Sequence, residues 1–156
     1  MGETEKERVD RELIELLNEV RVALAGITVL FGFLLALPFS TRFEKLDRLQ
    51  LGTYLATFLL ATASLALLVA PTAYHRVRFR KHGKEEMLRT LSRLTLVGIG
   101  LLALCLSAAV FLVGELMLSP AAAFAIAFVT LGVFVGLWFV VPILRRPDPR
   151  EGGDRP

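Results

Sequence analysis

The sequence predicts an all-α membrane protein, with four transmembrane helices preceded by a cytoplasmic amphipathic helix. Three observations predict it. Hydrophobic residues make up 54% of the 156, and mean hydropathy is +0.60. Four stretches, 22–41, 49–74, 94–114 and 116–144, contain no Asp, Glu, Lys or Arg. The charge is gathered between and outside those stretches, and it is unevenly shared.

The stretches hold 20, 26, 21 and 29 residues. A hydrocarbon core about 30 Å thick needs roughly 20 helical residues, so each can cross once. The two longest must tilt or end among headgroups. Membrane strands would alternate in polarity over about 10 residues. These runs are continuous and rich in Leu, Ala and Gly. A helix satisfies every backbone donor and acceptor in lipid. The expected layout is one domain, 1–146, with an amphipathic helix at 5–20 and spans at about 22–39, 50–72, 94–114 and 120–143. A disordered cytoplasmic tail, 147–156, is rich in Pro, Gly and charge.

Each element has its own signal. In 5–20, Val9, Leu13, Leu16, Leu17 and Val20 recur at helical spacing, and Val9, Leu13, Leu16 and Val20 fit a heptad seam. This helix either lies on the inner leaflet or continues span one inward to meet a partner helix. Residues 1–21 hold seven acidic and four basic side chains, which favours protein over anionic lipid. So charged an opening is unlike a secretory signal, so span one is expected to be retained. Pro38 should end or bend span one. Tyr54 and Tyr74 stand near the two ends of span two, where interfacial anchors belong. Pro71 should kink that span's last turn. Met87, Leu88, Leu91 and Leu94 suggest a helix leading into span three. Ser119 and Pro120 read as N-cap and first residue of span four.

The loops predict orientation. With four crossings, fifteen basic residues fall on one side and three on the other. The positive-inside rule places both termini in the cytoplasm. A pI of about 9.4 suggests nucleic acid only until its source is seen: the basic excess lies beside a membrane, and no basic fold is present to enter a groove.

Candidate chemistry is sparse. The segment 75–93 carries seven basic residues against Glu85 and Glu86. Within it Arg76, Arg78, Arg80, Lys81 and Lys84 are the candidate contact for anionic headgroups or a protein partner. The alternative is that they only enforce topology. The acidic 5–20 helix shares their side and is expected to dock on them. Gly132 and Gly136 form a small-xxx-small pair that either packs inside the bundle or joins two chains in a homo-oligomer. Thr53, Thr57 and Ala61 make a similar stripe. Glu115 reads as an interfacial acid. The midplane offers only Thr28, Thr57, Thr62, Ser64, Cys105, Ser107 and Thr130. His75 and His82, the two histidines, have no third ligand nearby, so no metal site is expected. No catalytic set and no phosphate loop can be assembled, so no cofactor and no enzyme activity are expected. The function expected is that of a structural or accessory membrane protein, with a small oligomeric transporter or channel as the alternative.

Two stretches carry a resemblance: residues 15–24 (ELLNEVRVAL) running into 31–39, and Ala70-Pro71 through His75-Arg76 to Phe79-Arg80. Together they resemble an uncharacterised family of small four-helix bacterial integral membrane proteins, a domain of unknown function seen mainly in high-GC Gram-positive bacteria. The likeness covers roughly 9–146. It implies four helices in a bacterial inner membrane, and brings no activity, cofactor or functional residue.

Overall fold

The computed structural model describes residues 5–78 and 84–144. Its long helices are α1 (Glu5–Ala36), α2 (Arg48–Arg78), α3 (Lys84–Met117) and α4 (Pro120–Val135). A π-helical turn, Gly136–Val140, and a short α5, Val141–Leu144, continue α4. No strand occurs among the described residues. Four helices are long and apolar enough to cross a membrane: Ile14–Phe39, Arg48–Pro71, Arg89–Met117 and Pro120–Val140.

Of the two expected forms of the 5–20 helix, the structure has the one that continues span one and not a separate element. The segment is the first half of α1, whose 32 residues span about 48 Å. The reason lies in the seam. Counting on by heptads from Leu13 reaches Val20, Ile27 and Leu34, and these three are buried. One apolar stripe therefore runs from the charged segment into the span, and nothing in it favours a break. An exposed Arg11–Glu15 ion pair at 3.3 Å supports the outer face of the charged half.

Pro38 acts as expected: α1 stops at Ala36, and a 3-10 turn, Leu37–Phe39, follows. Having no N–H, Pro38 cannot serve the carbonyl of Leu34 four residues back. The Tyr54 hydroxyl does so instead, at 3.0 Å. Tyr54 is therefore a buried residue tying α2 to α1, not the lipid-facing anchor expected. In lipid an orphan carbonyl is costly, and that need outweighs the ring's preference for the interface. Its ring also meets Phe43 edge-on and stacks near Phe58. Tyr74 lies outside the described side chains.

α2 begins with a capping box at the edge of the gap left between the expected spans 22–39 and 50–72. Asp47 Oδ1 accepts from the Gln50 N–H at 2.8 Å, and Gln50 Oε1 accepts from the Asp47 N–H at 3.2 Å. α2 then runs through Pro71 to Arg78. The helix expected ahead of span three is present as the start of α3. At α4, the Ser119 side chain accepts from Ala122 N–H and Pro120 opens the helix, both as expected. The π turn comes just before Pro142. That proline has no N–H for the preceding turn, and the ladder widens instead: Val141 N–H bonds to Gly136 C=O.

α1, α2 and α3 pack against one another, with α2 and α3 the most extensive pair. α4 packs on α3 and, among the described residues, on neither α1 nor α2. The arrangement is thus a three-helix core with a fourth helix leaning on one member.

Candidate functional site

Two regions could carry function: the basic end of the molecule and the seam between α2 and α3. Antiparallel packing builds the first. Ser64 meets Gly98 and Cys105 meets Thr57, so the C-terminus of α2 and the N-terminus of α3 lie together. Leu34 meets Tyr54, while Val20 shares a cluster with Leu68. The charged half of α1 therefore lies at this same end. Arg76 and Arg78 occupy the last turn of α2, and Lys84 is the first residue of α3. Their side chains, and the whole of Arg80 and Lys81, lie outside the described residues. Arg89 and Arg93, further along α3, are described and exposed.

The seam is built from small and polar residues. Thr57, Ala61, Ser64 and Leu68 recur on one face of α2, and all are fully buried. Thr57 and Ala61 were two of the three residues in the expected small stripe. Gly98 faces them across the seam. A Cβ there would stand 3.1 Å from Leu68 Cδ2 and 3.3 Å from Leu67 Cβ. That close approach lets Ser64 Oγ donate to the Gly98 carbonyl at 2.8 Å. Cys105 Sγ reaches the Thr57 carbonyl at 3.5 Å.

Every midplane polar side chain named above ends on a backbone carbonyl. Thr28 donates to Leu24 and Thr57 to Thr53, both at 2.7 Å. Thr62 donates to Phe58, Ser107 to Ala103 and Thr130 to Ile126, each at 2.8 Å. With Ser64 and Cys105 added, all seven hydrogens are engaged. Two buried polar atoms have no partner among the described residues, Thr95 Oγ1 and Glu115 Oε2. Both lie on α3, and Glu115 is half-buried as a whole.

Gly132 and Gly136 are not used in this way. A Cβ at either would meet nothing within 4 Å, so neither packs inside the chain. The helix pair that does approach closely at a small residue on α4 is at its other end. A Cβ at Gly114 would stand 3.2 Å from Ala123 Cβ. The edge-on pair Phe111–Phe124 lies beside that contact. Neither Gly98 nor Gly114 belongs to a small-xxx-small pair on its own helix, so the motif search passed over both. Their signal is a small residue on the partner: Ser64 for Gly98, Ala123 for Gly114.

Among the described residues, no three His, Cys, Asp or Glu side chains come together as metal ligands would. No curated protein and no solved structure matches the chain. A family model does, over residues 2–142, and its description reads family of unknown function. The chain, with its four bilayer-length apolar helices, belongs to this family, DUF6328.

Proposed function

We propose that this chain is a structural or accessory membrane protein that acts through helix contacts and through its basic, cytoplasmic end. The observation that carries this reading is the engagement of all seven midplane polar groups with main-chain carbonyls. A transporter needs polar groups free to meet a substrate near the midplane, often at broken helices. Here the donor hydrogens of these seven side chains are spent on the helices themselves. The same paucity speaks against an enzyme. The balance of fifteen basic residues to three supports both termini inside, and the family resemblance is what points to a bacterial inner membrane. At the cytoplasmic end the acidic half of α1 would dock on the tip formed by Arg76, Arg78, Arg80, Lys81 and Lys84. That tip would contact anionic headgroups or a protein partner.

The second reading, a small oligomeric transporter or channel, is favoured by one feature. α4 leans on α3 alone and leaves the face of Gly132 and Gly136 unfilled, so a second copy could pack there. Mass measurement of the chain in lipid nanodiscs, paired with solute flux into proteoliposomes, separates the two. A monomer or dimer without flux is expected. A closed ring that passes ions or small solutes would overturn the structural reading.

A further inference from the structure

Two cations at the basic end, Arg89 and Arg93, are exposed and have no ion pair or hydrogen bond among the described residues. They stand four residues apart on α3, and they share a helix face with Leu96 and Gly100. That face is the one α4 uses, since a Cβ at Gly100 would stand 3.8 Å from Phe139 Cζ.

α3 and α4 run antiparallel, with Gly114 opposite Ala123 and Gly100 opposite Phe139. Counting five residues on from Phe139 sets Leu144, the end of α5, level with Thr95. Arg93 and Arg89 therefore lie on α4's side of α3, about 3 Å and 9 Å beyond its last turn at 1.5 Å per residue. On the membrane side of them the surface is apolar and open: Leu96, Val97, Ile143 and Leu144 are all exposed. Two guanidinium groups, unpaired among the described residues, thus stand beside exposed apolar side chains at the edge of the span. Guanidinium pairs bidentately with phosphate oxygens, and the segment 75–93 carries a net charge of +5.

We propose that this surface binds one anionic phospholipid. Arg89 and Arg93 take the phosphate, and the acyl chains lie along Leu96, Val97 and Ile143. Zwitterionic lipid is the weaker occupant, because its ammonium group meets the same two cations. The proposal deepens the lipid reading of the basic end, rests on it, and moves the specific contact from the tip to the α3–α4 edge.

The test is native mass spectrometry of the full chain released from phosphatidylcholine nanodiscs doped with phosphatidylglycerol. The wild type should retain phosphatidylglycerol in preference to phosphatidylcholine. R89Q/R93Q should weaken that preference about 30-fold, the equivalent of roughly 1 kcal/mol per side chain. R42Q/R48Q, at the opposite end, should leave it unchanged. An R89Q/R93Q protein that loses the preference no more than R42Q/R48Q would overturn the proposal. So would one that loses thermal stability but keeps its lipid, since that is the signature of arginines that merely complement the carbonyl end of α5. The tip variant R76Q/R78Q/R80Q/K81Q/K84Q separates the two levels. Loss of preference there alone would sink the α3–α4 site and spare the lipid reading of the basic end. Loss in neither variant would sink both.

Discussion

α2 and α4 both pack on α3, and they do it differently. The α2 contact is a seam of small and polar residues, Thr57, Ala61 and Ser64 against Gly98 and Cys105, tied by side-chain to main-chain hydrogen bonds. α4 touches α3 near its start, through Ala123 and Phe124, and again through Phe139, and most of its surface is exposed. Yet α4 is the span that carries the two-glycine pair, Gly132 and Gly136. The difference teaches that a small residue in a membrane helix is only an opportunity. Lipid is as apolar as Leu, so helices gain little from burying apolar side chains against each other. What holds them is close approach plus a hydrogen bond, which needs complementary residues on both helices. Gly98 has Ser64 and Leu68 opposite it. Gly132 and Gly136 have nothing within the chain.

The largest expected effect breaks that comparison at its centre. Gly98→Leu forces a side chain into a contact already at 3.1 Å, at a cost of about 1–3 kcal/mol. Gly132→Leu has open space and should stay within about 0.5 kcal/mol. Denaturation in mixed micelles would compare them, and equal losses would remove the distinction drawn between the two helices. Next comes Tyr54→Phe. The ring survives but the carbonyl of Leu34, freed by Pro38, loses its donor; about 1 kcal/mol of stability should go with it. A Tyr54→Phe protein as stable as the wild type would mean that Leu34 finds another donor. The smallest change is Ser64→Ala, which removes the bond to Gly98 but keeps the close approach. Interhelical bonds in membranes average about 0.6 kcal/mol. A loss near that of Gly98→Leu would show that the bond, rather than the fit, holds the seam.

Much of the fold was legible from charge and breakers. A charge-free run of 20 or more residues has one economical structure in lipid. Pro38 marked the end of α1, and Ser119-Pro120 the start of α4. The capping box Asp47-x-x-Gln50 was equally readable, but the second span was expected to begin only at about residue 50, past its Asp47 cap. Less of the candidate site could be read. In a soluble helix, polarity marks the solvent face. In these spans nearly every residue is apolar, so the pattern does not say which face meets another helix and which meets lipid. Tyr54 shows the consequence: its place near a span end suggested an anchor, but its role was set by a carbonyl twenty residues earlier.

The sequence by itself determined that this chain has four membrane-length helices and that its charge is divided unequally between their two ends. Length and charge distribution are local properties, and the bilayer's thickness and low dielectric act on them directly. Only the tertiary structure decided that α1 is one helix from Glu5 to Ala36, and that α2 and α3 share the tight seam. It also left α4 leaning on α3 with its glycine face open, and left Arg89 and Arg93, at the α3–α4 edge, without an ion pair among the described residues. Those outcomes depend on which faces meet, and between apolar helices that choice is made by shape and by hydrogen bonds that no single span can encode alone.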